Sequence, residues 1–384
     1  MSVKTKNLNK QKLAETRKIE TNLINKDEVF KMLALAESVK LPILLIGVPG
    51  TGKTKTVIDY SKAFLTKNGT LNTNDFNNKL YILETDEGTK PSEVRGMPDF
   101  ETLFVNNKYT LNAPIATSEI VVINEVDKAN SGIRNSLLGV MNERFLFNGK
   151  NKIPCIWNLF VATCNEIPKD EEKSPFWDRF MLKVNVSRIS AGELAKYYSA
   201  GGKNYKESMN IGIPNKTELD SVVIDPSKLE HFISVGYQAL SDRTLTFVPT
   251  LAKAVSLIWN ISVDKALVKV ASIMIDTQAA TTLEQKLYPA EMKNLMNKVE
   301  ILNSINNITS LQNSIKEIEL LASGYVSTDK LDESHVEEIE MLINHVLETH
   351  PVYLQSQISE DMLSSVLDES GKDSDISTLL SADF

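Results

Sequence analysis

One eight-residue segment constrains this chain more than any other part of its sequence. It reads Gly47-Val-Pro-Gly-Thr-Gly-Lys-Thr54 and fits the pattern G-x-x-x-x-G-K-[ST] without a mismatch. An apolar stretch precedes it and a helical pattern follows it, as a phosphate-binding loop requires. Glycines let backbone N–H groups point inward, and the dipole of the following helix attracts anions. A glycine-rich turn without a ligand is the alternative, but the full context predicts a nucleotide phosphate site.

The residues of this segment have separate expected roles. Lys53 is predicted to meet the β- and γ-phosphates, and the Thr54 hydroxyl to bind Mg²⁺. ATP and Mg²⁺ are therefore the expected cofactors. The full set of expected nucleotide contacts is Gly47, Pro49, Gly50, Thr51, Gly52, Lys53, Thr54 and Lys55.

Short apolar segments alternate with helical patterns from residue 41 to residue 186. The predicted strands are 42–47, 80–84, 119–124, 157–163 and 180–186, with helices over 52–66 and 131–144. Such alternation is typical of an α/β fold whose parallel sheet is covered by helices on both faces. Because ligands bind at the carboxyl ends of the strands in these sheets, we expect the site at that edge.

A second strand supplies polar residues for the metal. Ile120 to Ile123 are apolar, and Asn124 and Glu125 follow at the predicted carboxyl end. The usual pair in ATPases of this type is Asp-Glu. Asn124 keeps an acceptor oxygen for Mg²⁺, through water, but lacks the negative charge, whereas Glu125 can orient or deprotonate the attacking water. Active hydrolysis at a reduced rate and nucleotide-gated binding with weak turnover both stay open.

Seven further stretches carry motifs. In chain order they are Pro91–Gly96, Asn112–Ile115, Asn124–Ala129, Leu137–Arg144, Ala162–Asn165, Trp177–Phe180 and Ser241–Thr244. In the same order they resemble P-S-D-x-x-G, G-P-I, D-E-I-N-R-A, L-L-E-A-M-x-E-R, A-T-x-N, L-D-R-F and S-P-R. These are motifs of the MoxR branch of AAA+ ATPases, close to the dynein- and midasin-related group, and the resemblance covers roughly residues 25–260.

The resemblance implies roles by position. Asn165 would be sensor 1, holding the attacking water near the γ-phosphate, unless it is only a turn residue after a strand. Arg179 would be the arginine finger that reaches a neighbouring subunit's nucleotide, unless it only pairs with Asp178. Arg243 would be sensor 2, contacting phosphate from the lid, unless it is a plain helix-surface arginine. Lys128 stands where the family often has Arg, and it lacks the bidentate fork of that side chain.

The resemblance also predicts a hairpin over residues 144–158. Phe145 and Phe147 alternate with polar neighbours, and Asn148-Gly149 supplies a turn signal. In the family such loops face the axial channel of a ring or a bound partner, but a buried hairpin face explains the pattern equally well. Besides Asn124, Glu166 departs from the family, which usually has Pro there, and about 120 C-terminal residues match no named element.

The expected organisation is an AAA+ α/β core followed by a helical lid and a C-terminal helical extension. The ranges are 1–24 for a basic, partly helical leader, 25–190 for the core, 191–265 for the lid, 266–370 for the extension and 371–384 for an acidic, mobile tail. Within the extension, apolar spacing predicts one long amphipathic helix and an acidic helix over 333–350. The apolar residues of the long helix are Met292, Leu295, Val299, Leu302, Ile305 and Ile308.

Composition narrows the function. The net charge of −8 argues against a protein whose main role is to coat nucleic acid. The 2 cysteines, the polar N-terminus and the absence of an apolar run of membrane length favour a cytoplasmic protein, in the host cytoplasm if a phage encodes it. The sequence shows no zinc pattern, C-x-x-C or serine triad signature.

The resemblance implies a ring of identical subunits, presumed hexameric, that hydrolyses ATP to remodel or assemble a protein partner. A chaperone-like role toward a protein with a von Willebrand factor A domain is the expectation. An ATP-gated assembly factor with weak hydrolysis is one alternative. A nucleic-acid motor or loader is the other, which would use the basic residues Arg95, Lys108, Lys150 and Lys152 near the inserts.

Overall fold

The computed structural model describes residues 13, 15–67, 70–100, 104–105, 111–148, 151–169, 174–199, 201–202, 205–328, 331 and 333–354. The chain forms two compact units, Met1–Glu284 and Gln285–Phe384. This division differs from the predicted boundary after residue 265, because the helix Val263–Met274 packs on elements of the first unit.

The strands are short, and their bounds follow in chain order. They are β1 (Glu15–Thr21), β2 (Ile43–Ile46), β3 (Thr66–Lys67), β4 (Thr70–Leu71), β5 (Leu80–Glu84), β6 (Met97–Pro98), β7 (Leu111–Asn112), β8 (Ile120–Asn124), β9 (Phe145–Asn148), β10 (Asn151–Pro154), β11 (Leu159–Cys164), β12 (Leu182–Asn185) and β13 (Glu207–Ile213).

The helices of the first unit also follow in chain order. They are α1 (Asp27–Val39), α2 (Lys53–Leu65), α3 (Thr73–Lys79), α4 (Pro91–Arg95), α5 (Pro114–Thr117), α6 (Ser131–Asn142), α7 (Pro175–Asp178), α8 (Ala191–Ser199), α9 (Lys216–Ser221), α10 (Pro226–Gly236), α11 (Asp242–Trp259), α12 (Val263–Met274) and α13 (Thr277–Leu287), whose last turn crosses into the second unit. A short 3₁₀ turn, Val126–Lys128, follows β8.

Five strands form the central sheet in the order β12-β2-β11-β8-β5, and every pairing in it is parallel. β2, β8 and β11 are apolar and almost wholly buried, since strands covered on both faces lose their contact with water. The predicted α/β class with a parallel sheet is therefore confirmed. The five predicted core strands differ from the observed ones by about two residues or fewer at each end.

The N-terminal segment differs from the expected helical leader. Over Glu15–Thr21 it forms the strand β1, which pairs antiparallel with β13 from Glu15 opposite Ile213 to Thr21 opposite Glu207. Alternation supports the strand, because Ile19 and Thr21 are buried whereas Lys18 and Glu20 face water. The segment expected to be a helical lid consequently contains one strand, β13, among its helices. Residues 1–12 and 14 lie outside the described residues.

The second unit contains α14 (Ala290–Leu302), α15 (Ile308–Ser327) and α16 (Glu333–Thr349), which pack against one another. The predicted acidic helix is confirmed as α16. The predicted long helix is wrong, because α14 ends at Leu302 and Asn307 caps a new helix by accepting a hydrogen bond from the Ser310 N–H at 3.1 Å. The predicted acidic tail lies outside the described residues.

Among the described helices, no single one is long and apolar enough to cross a bilayer. α11 and α12, which meet at 112°, pass such a test only as a bent pair and only by length and composition. Leu251 in α11 and Leu267 in α12 are buried in the protein.

Candidate nucleotide site

The predicted phosphate loop connects β2 to α2, and its shape depends on glycine. Gly50 and Gly52 have φ angles of +82° and +85°, which side chains with a Cβ rarely adopt. At Gly47 a Cβ would lie 2.4 Å from the carbonyl oxygen of Val186, the residue after β12. A side chain there would push the loop away from the end of that strand. Thr51 closes the turn by donating its hydroxyl to the Val48 carbonyl at 3.0 Å.

Lys53 begins α2 and is almost fully buried in the loop. Its ammonium group donates to the carbonyl oxygens of Gly47 at 2.5 Å and Val48 at 3.3 Å. It also lies 3.4 Å from the Oδ1 atom of Asn165, which follows the carboxyl end of β11. The structure therefore brings the predicted phosphate lysine and the predicted sensor asparagine together.

Asn124 ends β8 and is 1% exposed. Its Oδ1 atom accepts hydrogen bonds from the hydroxyls of Thr54 at 3.4 Å and Thr163 at 3.2 Å. Its amide nitrogen donates to Oε1 of Glu84 at 2.6 Å. The predicted metal residues Thr54 and Asn124 thus lie in contact. Glu84 was not predicted, although its place at the carboxyl end of a core strand was a signal.

Glu125 follows Asn124 with a left-handed φ of +54°, which turns the chain into the 3₁₀ segment. Its backbone N–H donates to the Thr163 hydroxyl at 3.1 Å. Its carboxylate accepts a hydrogen bond from the ammonium of Lys128 at 2.6 Å. This hydrogen bond, followed by the charge of Glu125, raises the pKa of Lys128 above its ordinary value.

Lys55, a predicted nucleotide contact, and Asn165, the predicted sensor, both have partners within the protein. Lys55 forms an ion pair with Asp59 one turn along α2, and Asp59 also accepts from the Thr21 hydroxyl of β1 at 2.9 Å. Beside the sensor position, the Asp127 carboxylate accepts from the Asn165 backbone N–H at 3.3 Å. Asp127 therefore holds the turn that carries Asn165 next to the phosphate loop.

Arg179 lies directly after α7 and its side chain is 27% exposed. Its Nη1 atom is 3.3 Å from a carboxylate oxygen of Asp178. The ion pair considered as the alternative to an arginine finger is thus present in the single chain. The pair is partly open to solvent, so the guanidinium can exchange this partner for another at small cost.

The structure does not bring Arg243 to the phosphate loop. Arg243 donates to the side chain of Asn142 at 3.1 Å, at the end of α6. Nearby, Arg144 donates to the carbonyl oxygens of Lys40 and Trp157, which precede β2 and β11. These contacts lie at the amino edge of the parallel sheet, whereas the phosphate loop lies at its carboxyl edge. Within its own chain, Arg243 is therefore on the wrong side of the sheet for sensor 2.

The predicted hairpin is formed by β9 and β10, which pair antiparallel from Phe145 opposite Pro154 to Asn148 opposite Asn151. Phe147 is 45% exposed, whereas Leu146 is buried, so the hairpin has one outward and one inward face. Gly149, Lys150 and Lys108 lie outside the described residues.

The backbone carbonyl of Cys164 accepts a hydrogen bond from the Gly47 N–H at 3.2 Å, so this cysteine contacts the phosphate loop through its main chain. Cys155 and Cys164 are free and buried, and burial raises the pKa of Cys155 to about 11 and that of Cys164 to about 12.

Among the described residues, no group of three or more His, Cys, Asp or Glu side chains could hold a metal by itself. A cation at this site would need phosphate oxygens as well, as Mg²⁺ in nucleotide sites commonly does.

The residues present fit a nucleotide with its metal. The loop has glycine where backbone N–H groups must approach phosphates, and a buried ammonium group points at its own backbone carbonyls where a phosphate could replace them. Beside it, a hydroxyl and an amide oxygen face each other at the carboxyl edge of the sheet. Sheet order, loop and neighbouring polar residues together define a P-loop protein of the AAA+ ATPase class.

The chain belongs to the MoxR family. A family model described as the MoxR domain in the MoxR-vWA-beta-propeller ternary systems matches residues 10–222, more than half of the chain. Two uncharacterized proteins of Methanocaldococcus jannaschii are 29% identical over 168 residues and 31% identical over 148 residues. These matches cover 40% and 37% of this chain and 44% and 39% of the relatives, so the chain spans less than half the length of either.

One solved structure, of a protein from Cytophaga hutchinsonii, is 18% identical, with a TM-score of 0.47. The match covers 66% of this chain and 82% of that one.

Proposed function

We propose that this chain binds ATP with Mg²⁺, hydrolyses it, and works as a ring of identical subunits, a hexamer by family resemblance, to remodel or assemble a protein partner. The observation that carries the proposal is the convergence of Lys53, Thr54, Asn124, Glu125 and Asn165 at the carboxyl edge of one sheet. Fold alone would not support it, because unrelated activities share folds.

Each residue has a task in this proposal. Lys53 exchanges the carbonyl oxygens of Gly47 and Val48 for phosphate oxygens when the nucleotide binds. Asn165, already beside Lys53, positions the attacking water near the terminal phosphate. Bound Mg²⁺ would neutralise the charge that develops on the phosphates. Glu125 orients or deprotonates the water only after it leaves Lys128, which favours slow turnover.

The ring is part of the proposal because Arg243 contacts Asn142 and not the phosphate loop of its own chain, and because Arg179 is partly exposed. Arg243 lies at the amino edge of the sheet, away from the nucleotide site of its own chain. To contact a nucleotide phosphate, it would have to reach the site of another copy. Arg179 is partly exposed and can leave Asp178 for a neighbour's phosphate. In a ring, each interface uses different surfaces of its two subunits, so one subunit can complete the next one's site.

The proposed partner is a protein with a von Willebrand factor A domain. The family model is described by systems that contain such a protein, which supports the choice of partner. Binding of that protein to a Glu125→Gln variant held with ATP would support the partner; equal binding with and without nucleotide would contradict ATP-driven remodelling.

An ATP-gated assembly factor with weak turnover is the second candidate. The ion pair between Lys128 and Glu125, together with the uncharged Asn124, favours it. Phosphate release, ATP binding and sedimentation should be measured for wild type, Lys53→Ala, Glu125→Gln and the exposed control Lys62→Ala.

The two candidates predict different results. Hydrolysis predicts loss of ATP binding in Lys53→Ala, normal binding with at least about a tenfold lower rate in Glu125→Gln, and an unchanged control. A wild-type rate equal to that of Glu125→Gln, with nucleotide-dependent sedimentation, would leave only the assembly factor. No nucleotide binding by wild type would contradict both.

A further inference from the structure

The two residues predicted to bind the metal carry no negative charge. Mg²⁺ in nucleotide sites is commonly held by one or two carboxylates together with phosphate oxygens and water. Here the two residues at the expected positions, Thr54 and Asn124, are a hydroxyl and an amide, and both are neutral. A site built from them alone would attract the cation less strongly than one with a carboxylate.

A carboxylate from the next strand lies in contact with this pair. Glu84 ends β5, directly opposite Asn124 in the parallel ladder. Its Oε1 atom accepts from the Asn124 amide at 2.6 Å, and its side chain is otherwise exposed at the carboxyl edge. The Asn124 amide is fixed in this direction, because its oxygen already accepts from Thr54 and Thr163.

Two other carboxylates near Asn124, those of Glu125 and Asp127, already have hydrogen-bond partners. Glu125 is bound to Lys128, and Asp127 accepts from the backbone N–H of Asn165. Glu84 accepts a hydrogen bond from Asn124, and the amide oxygen of Asn124 contacts the Thr54 hydroxyl. In space, therefore, one side chain separates the Glu84 carboxylate from Thr54.

We propose that Glu84 supplies the negative charge of the magnesium site in place of the carboxylate that Asn124 lacks, and that the Asn124 amide positions it. The negative charge would then lie at the end of β5 instead of the end of the adjacent β8, and Glu84 would act on the cation through bound water. This inference rests on the proposed binding of ATP with Mg²⁺.

The test compares Glu84→Gln with Glu87→Gln, an exposed carboxylate in the loop after β5. The amide oxygen introduced by Glu84→Gln can still accept from Asn124, so the variant removes charge and keeps the hydrogen bond. The measured quantity is the Mn²⁺ affinity of the protein with ADP bound, from paramagnetic resonance of the free ion. Thermal unfolding of both variants checks that each is folded.

Outer contacts of a metal site typically change affinity ten- to a hundredfold, so Glu84→Gln should weaken Mn²⁺ binding about tenfold. Glu87→Gln should bind as wild type does. The exchanged pair Glu84→Gln with Asn124→Asp restores one charge and one amide donor, and it should recover affinity to within about threefold.

Three results separate the possibilities. If Glu84→Gln weakens Mn²⁺ binding no more than Glu87→Gln, Glu84 does not serve the metal. If the exchanged pair fails to recover affinity, the loss in Glu84→Gln reflects local damage, which also overturns the inference. If wild type binds nucleotide but shows no Mn²⁺ site, the assignment of Glu84 fails, whereas absence of nucleotide binding defeats the proposed function itself.

Discussion

The ammonium group of Lys128 lies 2.6 Å from the carboxylate of Glu125, three residues earlier in the chain. The carboxylate that would act on the attacking water is therefore engaged before any nucleotide binds. Both side chains are about half exposed, at 51% and 44%, so the contact can open without leaving a buried charge behind.

Replacing Lys128 with Gln should raise the steady-state rate of ATP hydrolysis about two- to fivefold. Exposed ion pairs are weak, so releasing Glu125 yields a modest gain. Lys128→Arg, which keeps the charge, is the matched control and should stay near the wild-type rate. Phosphate release at saturating ATP measures both, and a lower rate in Lys128→Gln would instead assign Lys128 a direct part in hydrolysis.

The same pair predicts a pH response. Because the folded protein raises the pKa of Lys128, the pair is fully present below the ordinary lysine pKa and is lost only as pH rises through the raised value. The wild-type rate should therefore show no activation from release of Glu125 between about pH 7 and 9. An activating step in that range that is absent in Lys128→Gln would contradict this account.

Two inactive variants should complement each other if Arg179 acts between subunits. Lys53→Ala removes the phosphate lysine and keeps the arginine, whereas Arg179→Ala does the reverse. An equal mixture should recover up to about a quarter of the wild-type ATPase rate, because half of the subunits keep Lys53 and half of their neighbours keep Arg179. A mixture no more active than the separate variants would place Arg179 outside the neighbour's site.

Arg17, which is partly exposed, and the buried Glu37 form an ion pair that attaches β1 to α1, with a separation of 2.6 Å. Burial raises the pKa of Glu37, and the Arg17 charge opposes that shift. Arg17→Met leaves the carboxylate buried without its guanidinium, and should lower the free energy of unfolding by about 3 kcal/mol.

Chemical denaturation of a double-mutant cycle measures this contribution. Arg17→Met with Glu37→Met should be clearly more stable than Arg17→Met alone, because no charge is left buried. Lys18→Met, on the exposed face of the same strand, is the control and should change stability little. Strictly additive single and double changes would show that the pair makes no joint contribution.

Cys155 and Cys164 should resist thiol reagents in the folded protein. Burial raises the pKa of their thiols to about 11 and about 12, so the reactive thiolate is scarce at pH 8. Reaction with a disulfide reagent should be at least about tenfold slower than in denaturant, where both thiols react. Rapid labelling of the native protein would reveal local opening of β11 or of the segment before it.

The sequence predicts the core well because its signals are local. The phosphate loop is a contiguous pattern, and β2, β8 and β11 each contain a run of four consecutive apolar residues. Lys53 and Asn165 were expected to meet because parallel strands end at one edge, and their 3.4 Å contact agrees with that reasoning.

Other features depend on partners distant in the sequence. β1 carries a polar sequence with equal numbers of acidic and basic residues, and its pairing strand β13 lies more than 180 residues later. Glu84 meets Asn124 through strand order, which no single segment encodes. Arg243 has the expected motif around it, but the packing of α11 decides which edge of the sheet it reaches. The break between α14 and α15 was readable in the run Asn303 to Asn307, which apolar spacing alone obscured.

The pairing of β1 with β13 sets a practical limit on how this protein can be shortened. A recombinant version starting at residue 25, where the core was expected to begin, would leave the backbone of β13 as an open edge without its pairing strand. Open apolar edges recruit other chains, so such a version would be prone to aggregate. It would also lose Leu23, whose side chain packs over Gly52 of the phosphate loop. Expression boundaries should therefore begin upstream of Glu15.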